Sequence, residues 1–183
     1  MRSEISNLEA LDEFLSESSI ITNFGVALAS SRPLLVLGLR SSAGVADHFA
    51  WLLAALHPDV RKITRESDSG YDTILQASEG GGTWIVAFLL SRRPRLAVSL
   101  LEYAKSRGLK VGIVTNHTDT LIEKYADVVI PTVIDSELVM DSHAAAVVLC
   151  AVLTQAVADA MPEPVQARLE AFEQMAINQR LFV

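Results

Sequence analysis

A single cysteine, Cys150, stands in the whole chain, inside the apolar run 144–153. One thiol cannot close an internal disulfide, so a reducing compartment is expected and the thiol reads as a small buried hydrophobe. Positive charge is also short: Lys and Arg total 15 against 22 Asp and Glu, a formal net charge of −7. A nucleic-acid groove needs a surplus of basic residues on one face, so DNA binding by this chain itself is not expected. The apolar runs fall short of a membrane span, and the opening MRSEISNLEA has no apolar stretch. Neither a membrane segment nor a secretory signal is therefore expected, which places the chain in the cytoplasm. There is no dinucleotide fingerprint, no His/Cys/Asp/Glu cluster with metal-ligand spacing and no legible Ser/His/Asp set, so no cofactor and no metal are expected.

What is present suits one globular domain. The chain has 183 residues, 50% hydrophobic and only 20% charged, enough to bury a core without staples. Five short apolar segments, 34–39, 60–63, 83–89, 111–114 and 128–130, read as strands, and their continuous apolar character implies burial on both faces of a parallel sheet. Helices are expected at 7–15, 20–29, 42–56, 96–106, 142–160 and 165–175. A short one should start at Thr120, whose spacing from Glu123 is that of a capping box. No helix is assigned between the second and third strands; 65–70 reads as a polar loop. The helix 142–160 has no polar face, so it needs cover on two sides, from the sheet and from a second subunit. A homodimer or higher homo-oligomer follows as an expectation, with the N-terminal helices sharing the interface.

The strongest local signal is GLRSSAG at 38–44, between a buried strand and a helix. Gly38 permits a sharp turn, and Ser41 and Ser42 with the free N–H groups of a helix start make an anion cradle. Simple helix capping by either serine is the alternative reading.

Three stretches, GLRSSAGVADHFAWLLAAL, TWIVAFLLSRRPRLAVSLLEYAKSRGLKVGIVTNHTDTLIEKYADVVI and ELVMDSHAAAVVLCAVLTQAVA, resemble the SIS (sugar isomerase) domain of RpiR-type transcription regulators. Gly38, Ser41, Ser42, Gly108, Thr115, Ala126 and Asp127 carry the resemblance in order and spacing. It implies a flavodoxin-like three-layer α/β/α fold, a five-stranded parallel sheet of order 2-1-3-4-5, and a non-catalytic effector domain that binds a phosphorylated or acidic sugar. The expected division is a single SIS domain over 1–183, with N-terminal helices in 1–32, the α/β core in 33–131 and C-terminal helices in 138–183. The helix-turn-helix domain that precedes the SIS domain in those regulators is not expected within this chain.

In an open α/β sheet of that order, ligands bind beyond the carboxyl ends of the strands where the order reverses, between the first and third strands. The expected ligand set is Gly38, Arg40, Ser41 and Ser42 from one loop and Ser91, Arg92 and Arg95 from the other, with Arg93 beside them. The chain departs from the family here. Its second loop reads LLSRRPRLA at 89–97, without the hydroxyls that the family places near Leu89 and Ala97. Arginines stand where short hydroxyl donors are usual, so an anionic ligand with looser geometry is expected, with Ser42 contributing more than Ser91. Two other readings remain: an aldose-ketose isomerase of the same fold, and a dimerisation module whose ligand site has decayed. For the isomerase, Glu66, His117 and His143 are the possible bases, but no paired acid and base emerges, and His48 and His57 read as helix-surface residues.

Overall fold

Strands that are apolar throughout need cover on both faces, and the chain supplies that cover from two sets of helices. The computed structural model describes residues 2–17 and 19–182. Two helices come first, α1 (Arg2–Glu17) and α2 (Ile20–Ser30), followed by β1 (Leu34–Gly38), a 3-10 turn (Arg40–Ser42) and α3 (Ala43–Ala54). Then come β2 (Val60–Ile63), α4 (Ser69–Glu79), β3 (Trp84–Leu89), α5 (Arg95–Ser106), β4 (Lys110–Thr115), α6 (Thr120–Tyr125) and β5 (Val128–Pro131). The chain closes with α7 (Ala144–Asp159) and α8 (Pro162–Gln179). All five strands are parallel in the order β2-β1-β3-β4-β5, as the resemblance implies.

The two-residue period of a strand divides the core. Val36, Val86 and Phe88 point to a layer holding Phe24 of α2, Phe49 of α3 and Leu149 and Leu153 of α7. Leu35, Leu37, Ile85 and Ala87 point the other way, to Ile74 of α4, Leu100 and Leu101 of α5 and Ile122 of α6. Each of the Val, Leu, Ile and Phe side chains taken fully out of water is worth about 1.5–3 kcal/mol, and β1 and β3, buried at every position, form the centre of the sheet.

The helix α4 falls where no specific helix was assigned, and its buried residues are Gly70, Ile74 and Ala77. Three local expectations need correction. The cap of α6 is Asp119, whose carboxylate accepts from the N–H groups of Leu121 and Ile122, so Thr120 is already inside the helix. The last helix begins at Pro162 rather than at 165, because prolines fit the first turn, where no N–H is required. The cover of α7 comes largely from its own chain: α1, α2, α3 and α8 pack on it, and only Val147 and Val148 of its larger apolar side chains stay exposed.

His57 also differs from its reading as a surface residue. It is buried just past α3, with Nδ1 accepting from the Asp59 N–H at 3.3 Å and Nε2 lacking a partner. Burial, with the nearby charge of Arg32, pushes its pKa below the ordinary value of 6.5. The unfolded chain therefore takes up a proton near that value while the folded chain stays neutral, so stability present above it is lost as pH falls. The urea midpoint should drop between pH 7 and pH 5.5, and by less in a His57→Gln variant; equal slopes in the two proteins would refute the assignment.

Candidate functional site

The crossovers leave the sheet in opposite directions at one place. From β1 the chain passes to α3 on one face; from the adjacent β3 it passes to α5 on the other. The two exits open a crevice at the strand ends. It holds a cavity of about 840 Å³, lined by Arg40 and Ser41 from the first loop, Ser91 to Leu96 from the second, Glu66, and Val139, Met140, Asp141 and His143 from the segment before α7.

Of the residues expected to meet a ligand, Arg40, Ser41, Ser91, Arg92 and Arg95 line this cavity, and Gly38 and Ser42 do not. Ser42 is buried, and its hydroxyl accepts from the Leu90 N–H at 3.1 Å while lying 3.5 Å from the Leu90 carbonyl. It ties the first loop to the end of β3 and makes no capping bond to α3. Ser42→Ala would strand a buried N–H, at about 1–3 kcal/mol. Urea denaturation should show that loss, while ligand affinity falls less than in arginine variants; an unchanged midpoint would contradict the tie. The N–H groups expected to be free at the start of α3 are also engaged, since the 3-10 turn directs those of Ser42 and Ala43 to the carbonyls of Leu39 and Arg40.

The open helix end is that of α5. Its N-cap is Pro94, which has no side-chain acceptor, so the first turn lacks a capping side chain, and Pro94, Arg95 and Leu96 of this helix start line the cavity. Sequence reading sought the cradle at α3; Pro94 just ahead of the helix was the signal for α5 that it passed over.

Around that helix end the second loop is braced from β4. The Ser91 N–H donates to Asn116 Oδ1 at 3.1 Å, and the Thr115 hydroxyl donates to the Leu89 carbonyl at 3.0 Å. Arg93 is a strut: it pairs with Asp119 and donates to the His117 carbonyl at 3.1 Å. The Arg93 guanidinium, with the Ile122 N–H, holds the Asp119 carboxyl below the usual carboxylate range. Arg40 meets only an exposed Glu66 carboxylate at 3.3 Å, a pairing of small net worth. Among the described residues Arg92 and Arg95 form no ion pair, which leaves them available to an anion.

Backbone conformation marks the same place. Arg40 (φ 58°) and Ser91 (φ 61°), one in each loop, are two of the three non-glycine residues with positive φ among those described. Such conformations carry a cost of order 1 kcal/mol or more and tend to collect where function needs them.

Glu66 is exposed, as its reading as a solvated loop residue expects, and no hydrogen bond or ion pair joins it to a histidine among the described residues. Glu66, Asp141 and His143 all line the one cavity, and His143 Nε2 is buried without a partner. His117 instead serves through its backbone, as the acceptor for Arg93 and Thr115.

A family model described as the SIS domain matches residues 27–158. Among solved structures, the sugar isomerase domain of an RpiR transcription factor from Sphaerobacter thermophilus is 19% identical, with a TM-score of 0.82 over 94% of this chain and 97% of that one. The Vibrio vulnificus NanR protein complexed with ManNAc-6P is 14% identical, with a TM-score of 0.75 over 97% of this chain and 67% of that one. A Methanococcus jannaschii protein whose inferred molecular function is that of a 3-hexulose-6-phosphate isomerase is 12% identical, with a TM-score of 0.59 over 91% of this chain and 92% of that one. Curated protein sequences contain no match.

Proposed function

The chain belongs to the SIS domain family, and on that premise we propose that it is a sensor domain that binds a phosphorylated or acidic sugar in the crevice between the ends of β1 and β3. The observation that carries this reading is the convergence of unpaired Arg92 and Arg95 and the open start of α5 on one cavity. Guanidinium groups and first-turn N–H groups both favour an anion, and together they suit a phosphate or a carboxylate. In this role Arg40, Ser41, Ser91, Arg92 and Arg95 touch the ligand, while Gly38 and Ser42 shape the loop behind them. The resemblance to RpiR-type regulators and the sugar phosphate named with NanR both support an effector role, read out through a DNA-binding partner or segment rather than through this acidic chain.

Calorimetric titration with hexose, pentose and N-acetylhexosamine phosphates tests the proposal. Saturable binding of at least one is expected; no binding of any at millimolar concentration would leave the decayed-module reading as the better account. One observation favours a second reading, isomerisation: Glu66 and His143 share the cavity. Turnover of a sugar phosphate that disappeared in Glu66→Gln or His143→Ala would establish that reading and displace the sensor.

A further inference from the structure

Residues 132–143 join β5 to α7 without regular secondary structure, and Val139, Met140, Asp141 and His143 among them line the cavity. The Ser142 N–H donates to the Ile134 carbonyl at 3.2 Å, so the run 135–141 leaves the domain and returns to it at one point, as a strap. Ile134 at its base is buried in the core, whereas Leu138, Val139 and Met140 at its tip are 72%, 100% and 74% exposed. Apolar side chains scattered singly on a surface are ordinary, but contiguous ones beside a cavity mark a surface that something covers. A molecule bound in the cavity is placed to do so, because Val139 and Met140 already form part of its wall.

Both feet of the strap are tied to α1. The Asn7 side-chain amide donates to the Asp135 carbonyl at 2.7 Å, and the Ser142 hydroxyl donates to Glu4 Oε2 at 2.6 Å. Glu4 and Asn7 stand three residues apart, which places them on one face of the helix. Further along α1, Leu11 is buried and Phe14 and Leu15 pack on the core, so the second half is fixed by apolar contact. In the first half, residues 2–9, only Asn7 is buried, and Ile5 and Leu8 are exposed. A helix end with little packed surface frays readily in water, so the order of these first two turns depends on the strap.

We propose that the strap and the first half of α1 form one latch: a sugar phosphate in the cavity seats Val139 and Met140, the seated strap fixes its feet, and the feet fix the start of α1 through Asn7 and Glu4. The latch rests on the sugar-phosphate site proposed above and adds to it the element in which occupancy is read out. Asn7 and Glu4 are positioning residues, since neither lines the cavity. Coupling between two sites is reciprocal, so loosening the start of α1 must weaken ligand binding as much as ligand binding tightens α1.

Hydrogen exchange of the whole chain, read by mass spectrometry over residues 2–11, tests the latch first without ligand. Ser142→Ala and Glu4→Ala should each speed exchange there at least about fivefold and leave α5 as in the parent. Glu4→Gln keeps an oxygen for the Ser142 hydroxyl and should match the parent, as should Glu9→Ala, exposed on the same helix. Glucose 6-phosphate, ribose 5-phosphate and N-acetylglucosamine 6-phosphate are then added at millimolar concentration. At least one should slow exchange over 2–11 in the parent, and the slowing should vanish in the double variant Val139→Gly, Met140→Gly. Calorimetry should find that sugar phosphate bound at least about fivefold more weakly by Asn7→Leu. Unchanged exchange in both Ser142→Ala and Glu4→Ala would overturn the latch outright. A sugar phosphate that bound the parent without slowing 2–11, that still slowed it in the glycine variant, or that bound Asn7→Leu as tightly would overturn the latch and leave the sensor reading standing. Binding of none of the three would remove the sensor reading and the latch with it.

Discussion

Replacing Arg92 and Arg95 together with alanine should weaken binding of a sugar phosphate by about a hundredfold or more, because a hydrogen bond to a charged group is worth roughly 1.5–3 kcal/mol and each factor of ten is about 1.4 kcal/mol. Both guanidinium groups are exposed in the free protein and neither has a carboxylate to leave, so the loss should appear in affinity and not in folding. Arg93→Ala is the informative contrast. It removes the strut to Asp119 and the His117 carbonyl, so it should destabilise the second loop and shift the urea midpoint as well as binding. The arginines act through charge at partly solvated positions, so affinity in the parent should fall as salt rises, and this dependence should flatten in the double variant. Calorimetry at two ionic strengths checks both. Equal affinity in parent and double variant would show that the anion is held elsewhere in the crevice.

The stability of the loop and its chemistry are separable, as Arg40 and Ser91 illustrate. Both hold left-handed backbone, which glycine adopts without a Cβ penalty. The loops thus combine cavity-lining residues in left-handed backbone with buried, well-bonded ones such as Ser42 directly behind them. That division follows from the switch point itself: two loops leaving adjacent strands toward opposite faces must be pinned to each other, and the Ser42–Leu90 contact is the pin.

How far the sequence could be read follows from which signals are local. Strand burial is local, because runs such as LLVLG and WIVAFL state their environment directly; the five strands therefore emerge before any coordinates, and the family resemblance supplies their order. The helix α4 does not, since of its buried residues Gly70, Ile74 and Ala77 only Ile74 is a large apolar side chain. At the site, residue types and loops were legible, but which way a side chain faces was not. Ser41 and Ser42 are neighbours of the same chemistry, and the 3-10 turn sends one to the cavity and the other into the core. The contributions of Glu66, Asp141 and His143 come from segments far apart in sequence that only the sheet brings together. Likewise His57 looks like any polar residue after a helix until the burial around it is seen.

Gly38→Ala should be the most damaging conservative change in the core of the site. A Cβ at that position would lie 2.5 Å from the Ala46 Cβ and 2.6 Å from the Ser42 carbonyl oxygen, and neither neighbour is the free end of a flexible side chain. One is fixed on α3, the other is backbone in the turn, so relief requires α3 and the turn to move off the end of β1. Overpacking of this kind costs about 1–3 kcal/mol, and here it falls on a contact that already carries the Ser42–Leu90 tie. The expected loss is therefore at the upper end, about 3 kcal/mol, and it should reach the cavity, because Arg40 and Ser41 sit on the displaced turn. Urea denaturation of Gly38→Ala against parent measures the first effect, and sugar-phosphate titration of the folded fraction measures the second. The double variant Gly38→Ala, Ala46→Gly removes the shorter of the two contacts and should recover part of the stability. Full stability in the single variant would show that α3 can shift freely, and the rigid placement of the first loop would then be wrong.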